Sequence, residues 1–560
     1  MEATLGIATS DTTVVCLPTS RHYNTVTRMI AAEFSRHGRV IVEWFFGALF
    51  DATRCNRAML LLLAGYAATW SLYASIARSS QDLHPDMAEL ISWSRDLSLG
   101  YLKHPPLAAW LVRLWFSVFP LTDWSYYLLA MLMPTIALWI AWRLSADYLE
   151  IEKRVVGVAL LMLVPFYNFH ALKFNVNTVL LPTWAATTLW FLHSYKTGKP
   201  IYSALTGVGA AACMLAKYWS VFLLIGLVVA ALLDSRRSDY LRSSAPWITT
   251  VVGLAVLGPH LIWLFYHQFA PFEYAIAKHV ASSFGGVGVT TLAYLGGLAA
   301  YAAAPLLCVM AAAGPGPNRR TIADIEWPAD GDRRMAAVAF WGPLLLPTVA
   351  ALVAGTNISA LWSMPAWTLL PVVLLSNPTV KLPPANQRRI LLIALAVPIM
   401  ALIAAPVVAI VAHHAGIKPP GAHGRYLAAE TERAWRQATP EPLRFVGCNV
   451  ADEVIAYAQD RPHSVPLHSF RGDIGDQVYA DAHDWPRASP AESASNEARL
   501  ARYGMALVCL ADESNWVEAA ASRAARNPGS RRIDVNISRD FLGIRSPPQH
   551  YVIFIIPPRS

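Results

Sequence analysis

Apolar stretches long enough to cross a bilayer recur from about residue 58 to about residue 412, and that recurrence limits the folds open to this chain. A helix needs about 20 mostly apolar residues to span the hydrocarbon core. Candidate spans fall near 58–77, 124–143, 154–171, 178–195, 200–215, 218–234, 245–266, 290–313, 335–355, 358–376 and 390–412. Composition points the same way: 55% of residues are hydrophobic and 15% charged, where soluble domains carry about 25% charged residues. A soluble multidomain chain, a disordered chain, a disulfide-built secreted domain and a single-span anchor are therefore excluded.

The net charge of +8 does not make a nucleic-acid surface, because the basic residues sit in short runs between apolar spans. Arg21, Arg28, Arg36, Arg39, Arg54 and Arg57 precede the first span. Alternate loops then carry Lys153 and Arg154, Lys196 and Lys199, Arg236, Arg237 and Arg242, Arg319, Arg320, Arg333 and Arg334, and Arg388 and Arg389. Basic loops stay on the cytoplasmic side, so the N-terminus is expected inside the cell. The odd span count puts the tail outside.

The expected architecture is a polytopic α-helical membrane protein with about eleven transmembrane helices. A cytoplasmic segment (1–57) comes first, then the membrane domain (58–412), then a small extracytoplasmic α/β domain (413–560). The first 57 residues are too long for a signal peptide, and Val40–Phe50 is expected to lie on the membrane surface. In the tail, strands are expected at 443–448, 505–510 and 551–556, a helix at 451–459 and a loop around 486–494. Cys448 and Cys509 both lie there, and their spacing leaves pairing open.

The loop at 78–123 is too patterned for a connector. Pro85 suits a first helical turn, which places Asp86 and Glu89 on one face with Trp93 a turn further on. Pro105 opens a second helix, whose Leu107, Leu111, Leu114, Trp115 and Val118 form an apolar stripe suited to lying against a bilayer. Lys103 and His104 stand between the two. Further along, His170, Lys173, Asn175 and Asn177 interrupt the apolar sequence, as do Lys217 and Tyr218. A lysine at membrane depth costs about 2.5–3.5 kcal/mol on insertion scales and is usually paired or functional. His260, His267 and His279 are close enough in sequence to approach the same surface, but as lone histidines they read as structural rather than as site residues. The long connection at 267–290 reads either as a flexible cover for the site or as an ordinary link.

Asp86, Glu89 and Trp93, then Gly100 and Tyr101, then His104, Pro105, Pro106, Leu107, Ala108, Ala109 and Trp110 resemble the first-loop signature of bacterial GT-C glycosyltransferases. The branch is the one akin to dolichyl-phosphate-mannose protein mannosyltransferases and the lipid A aminoarabinose transferase. Asn175–Pro182 and Ala216–Tyr218 match the same branch, and the likeness covers about residues 58–235. It implies a GT-C-like fold and transfer of a sugar from a polyprenyl-phosphate donor to an envelope lipid, glycan or protein within membrane lipids. Asp86 takes the position of the family's essential acid, base or metal contact, and a divalent cation (Mg or Mn) is an expected cofactor. The family's usual second acid is replaced by Met87, a further common Asp by Asn177, and the acid before His-Pro-Pro by Lys103.

On that reading Asp86, supported by Glu89, takes the acceptor proton. Lys103, His104, Lys217 and Tyr218 bind the donor phosphate, and Lys173, Asn175 and Asn177 contact substrate. A lipid transporter or flippase is the alternative. It would place polar residues near the midplane and show two related halves, whereas here they crowd the outer face and the halves look unrelated.

Overall fold

The computed structural model describes residues 43–44, 46–280, 283–313, 319–416, 423–465 and 498–559. The chain forms two compact units, 1–60 and 61–560. Most of the first lies outside the described residues, as does the tail loop at 486–494; of Val40–Phe50, residues 43–44 and 46–50 are described. The tail belongs to the second unit together with the chain from Leu61 onward.

The helices used below are α1 (Cys55–Ala77), α2 (Pro85–Arg95), α3 (Leu107–Val118), α4 (Asp123–Leu144), α5 (Ile151–Met162), α6 (Val176–Thr197), α7 (Pro200–Ala216), α8 (Val221–Leu233), α9 (Ala245–Tyr266), α10 (Ala270–His279), α11 (Phe284–Ala312), α12 (Gly331–Ala354), α13 (Leu370–Leu375) and α14 (Pro384–Ala415). Each candidate span falls on helical structure. Six helices among the described residues are long and apolar enough to cross a membrane: α1, α4, α9, α11, α12 and α14. A seventh span arises if α5 and the 3-10 segment Pro165–Leu172, bent by 81°, count as one. The candidates near 178–195, 200–215, 218–234 and 358–376 fall on α6, α7, α8 and the Ala360–Leu375 segment, which are too short or too polar to pass alone. Pro165, whose ring clashes with a continuing helix, stands at the bend.

Between α1 and α4 lie the two short helices read from their prolines. In α2, Pro85 occupies the first turn and the His84 side chain accepts the Asp86 N–H. In α3, Ala108, Ala109 and Val112 are buried against the protein, while Leu114 and Val118 are exposed. Small residues thus face the protein, while the exposed positions Leu114 and Val118 are large and apolar.

The 267–290 connection is largely helical. Pro271 in the first turn, Glu273 beside it and Lys278 and His279 in the last turn suit α10, since each complements the helix dipole or its free N–H groups. Its end is tied down where Asn357 N–H donates to the His279 carbonyl at 2.8 Å and Val280 bridges Thr356.

The tail carries α15 (Gly424–Ala438), α16 (Ala451–Tyr457) and α17 (Ser514–Ala524) around strands β1 (Phe445–Gly447), β2 (His463–Val465), β3 (Met505–Leu510), β4 (Arg531–Ile537) and β7 (Gln549–Ile556). Strands β5 (Asp540–Phe541) and β6 (Ile544–Arg545) form a small hairpin. The main sheet runs β2-β1-β3-β7-β4, parallel from β2 to β3 and antiparallel beyond. Both faces are covered: Leu427, Trp435, Val454 and Ile455 pack on one, and Ala520 and Ala524 on the other. Of these elements β2, β4, β5, β6, α15 and α17 were not anticipated. A disulfide joins Cys448, just after β1, to Cys509 in β3.

Candidate active site

Asp86 lies in the first turn of α2 and meets residues that lead into α6. Asn175 caps α6, its side-chain oxygen accepting the N–H groups of Asn177 and Thr178 at 3.0 and 3.3 Å. The Asn175 amide donates to Asp86 Oδ2 at 3.1 Å, and Lys173 Nζ reaches the same oxygen at 3.2 Å. Burial raises the Asp86 carboxyl, but Lys173 and its neighbours outweigh this and hold it at about 2. Burial pushes His84 down to about 4, so its Nδ1 is a neutral acceptor for the Asp86 N–H at 3.1 Å.

Two residues beyond Asn175, the Asn177 carbonyl oxygen accepts from Lys217 Nζ at 2.9 Å. Lys217 follows α7, and its ammonium lies 4.9 Å from the Trp362 ring centre, within the range of a cation–π attraction. Burial pushes Lys217 down to about 7, against the attraction of Asp86. His279 meets the edge of Trp362 at 5.0 Å. The start of α6 therefore holds both groups, Asp86 through Asn175 and Lys217 through Asn177.

Glu89 and Lys103 form a second pair. Lys103 Nζ donates to both Glu89 oxygens at 2.9 Å. Burial lowers the Lys103 ammonium, but Glu89 outweighs it and the pKa rises. His104 is edge-on to Trp93 at 6.1 Å, and burial together with Lys103 and Lys217 drives its pKa well below the ordinary value. It offers a neutral imidazole rather than a cation. Tyr218 is also committed. His260 Nδ1 lies 2.7 Å from the Leu99 carbonyl and must donate to it, so His260 Nε2 accepts the Tyr218 hydroxyl at 3.0 Å.

The sequence-predicted residues thus divide. Asp86, Lys173 and Asn175 form one contact set, Asn177 and Lys217 another, and Glu89 with Lys103 a third, while Tyr218 turns to His260. Trp362 was missed. It lies in an apolar run 145 residues after Lys217, with no local signal beyond an aromatic residue near a span end.

The dolichyl-phosphate-mannose-protein mannosyltransferase family model matches residues 103–263. That stretch includes Lys103, His104, Lys173, Asn175, Asn177 and Lys217. Over 88% of this chain and 97% of the other, the structure aligns with crystal structures of ArnT from Cupriavidus metallidurans, bound to undecaprenyl phosphate and in the apo state. The TM-score is 0.56 in both, at 13% and 12% identity. The chain has the ArnT fold. A lipid A galacturonosyltransferase, RgtD of Rhizobium johnstonii, is 25% identical over 223 residues, 38% of this chain. The chain spans 44% of the length of that relative. Family match, relative and fold agree on a multi-pass membrane protein that resembles the GT-C glycosyltransferases.

Proposed function

We propose that this protein is a membrane glycosyltransferase that moves a sugar from a polyprenyl-phosphate donor to lipid A or a related envelope acceptor. The observation that carries this reading is the joint hold of Asn175 on Asp86 and Asn177 on Lys217. It sets an acceptor for the incoming proton and a donor to the departing phosphate on one short piece of backbone. The ArnT fold and the lipid A relative support the donor and acceptor classes.

The reaction is an inverting displacement. The acceptor oxygen bonds the anomeric carbon as the carbon–oxygen bond to phosphate breaks, and the hydroxyl proton passes to Asp86. A carboxylate with a pKa of about 2 is a weak base toward a free hydroxyl. It suffices once the hydroxyl oxygen shares electrons with an oxocarbenium-like centre, because the proton is then strongly acidic. Lys173 and Asn175 orient Asp86 for this late transfer. Lys217 stabilises the charge that grows on the leaving phosphate, which in a site of reduced dielectric is worth about 2.7–4 kcal/mol per well-placed donor. Glu89 and Lys103 act as a neutralised pair that supports α2.

The cytoplasmic N-terminus and outer tail are part of this proposal. The basic loops support that orientation, as does the disulfide Cys448–Cys509, since such bonds persist in oxidising compartments. The expected Mg or Mn does not fit the donor set. Asp86 is the one carboxylate among these contacts besides Glu89, which Lys103 occupies, and a dication on Asp86 would sit against Lys173. No group of three or more His, Cys, Asp or Glu placed to hold a metal occurs among the described residues. No step is routed through a metal, and a chelator is expected to leave transfer by the purified protein unchanged. Loss of activity with EDTA, restored by Mg or Mn, would contradict this.

Mass spectrometry of envelope lipids tests the proposal in cells. Wild type is expected to add one sugar mass that a deletion strain lacks and that Asp86→Asn fails to restore. Restoration by Asp86→Asn would remove the base assignment.

A further inference from the structure

A polar cavity of about 470 Å³ opens between the end of α1, the start of α4 and the tail. None of the residues assigned above to the transfer site lines it. Asp123, Arg425 and Arg539 in its wall join Asp82 behind it in a balanced ion network. Asp82, 2% exposed, receives Arg425 Nε at 3.0 Å and the Arg539 guanidinium, and Arg425 also pairs with Asp123. Two buried donors in that wall, Arg539 Nη1 and the Tyr127 hydroxyl, have no hydrogen-bond partner among the described residues.

Two charges lining the cavity stand outside the network. Arg78 reaches only the Gln81 side-chain oxygen, at 3.5 Å, and has no carboxylate partner among the described residues. Asp540 accepts the Gly543 N–H at 3.1 Å and has no cation partner among them. Thr122, also in the wall, precedes α4 without capping it through its side chain, so the first N–H groups of α4 add positive potential. The cavity therefore presents one unpaired cation beside a helix N-terminus and one unpaired anion. Trp124, half exposed at the first turn of α4, is the kind of aromatic that sits at headgroup level.

We propose that this cavity binds the zwitterionic headgroup of a membrane phospholipid, its phosphate on Arg78 and the α4 N-terminus and its ammonium on Asp540. The volume accommodates a phosphate with a small amino alcohol. The site is distinct in place from the transfer site, none of whose residues lines it.

Native mass spectrometry of the delipidated full-length protein tests this with added phosphatidylethanolamine, phosphatidylglycerol, diacylglycerol or soluble phosphoethanolamine. One phosphatidylethanolamine is expected to be retained and diacylglycerol is not. Arg78→Gln should weaken retention about tenfold, the scale of a lost charge-assisted contact. Asp540→Asn should abolish the preference for phosphatidylethanolamine over phosphatidylglycerol. Retention by Arg78→Gln within about twofold of wild type would overturn the proposal. So would displacement of the lipid by an equal concentration of soluble phosphoethanolamine, which would make this a free-anion site.

Discussion

Lys217 and Asp86 carry opposite consequences for pH. Asp86, held at about 2, stays ionised throughout the working range and gives no acid limb above about pH 4. Lys217, pushed down to about 7, is charged below that value and loses its proton as pH rises through it. Since kcat/KM reports the free enzyme, kcat/KM for the donor is expected to fall on the alkaline side of about pH 7. Lys217→Arg should move that fall upward, because a guanidinium stays charged. An unchanged alkaline limb in Lys217→Arg would show that the lysine does not meet the phosphate. Much of this site was legible in the sequence, because a charge or an asparagine at the edge of an apolar run stands out. The partners were harder to read: Asn175 and Asn177 looked like substrate contacts, whereas one caps α6 while gripping Asp86 and the other grips Lys217. Nothing in the local sequence brings Trp362 to Lys217, since that contact depends on how the spans pack.

Helix α2 is braced from the tail at both ends. The Leu83 N–H donates to the Tyr457 hydroxyl at 2.8 Å, Arg95 reaches the Ile455 carbonyl at 3.4 Å, and His463 bonds Asp96 at 2.9 Å. Helix α16, which carries Ile455 and Tyr457, was legible from its apolar pattern, but its docking on α2 was not. Helices α7 and α9 approach each other closely at Gly207. A Cβ there would meet the Thr249 carbonyl oxygen at 2.5 Å and the Gly253 nitrogen at 2.9 Å. Gly207→Val is expected to push the helices apart and cost about 1–3 kcal/mol, read as a lower unfolding midpoint of the purified protein. An unchanged midpoint would mean that the helices shift without penalty. The span count was the least legible feature: hydropathy marks where apolar helices lie but not whether a short one such as α8 crosses alone.

The whole chain combines an ArnT-type membrane fold with a disulfide-bonded α/β tail. Joined by the disulfide, Cys448 and Cys509 should resist a maleimide until a reductant is added. Labelling of both without reductant would contradict the pairing. The tail's class and three of its strands were readable from β-branched runs, while β4 was not, because its exposed, charged sequence Arg531–Ile537 lacks a buried face on one side. The central claim is that Asp86 and Lys217 act together on one prenyl-phosphate sugar, and reconstitution measures it most directly. Purified protein in lipid vesicles, given a polyprenyl-phosphate sugar and lipid A, is expected to add the sugar to lipid A and release prenyl phosphate in equal amount. Asp86→Asn and Lys217→Ala should each slow this by about 10²–10⁴, and wild-type rates in both variants would contradict the account.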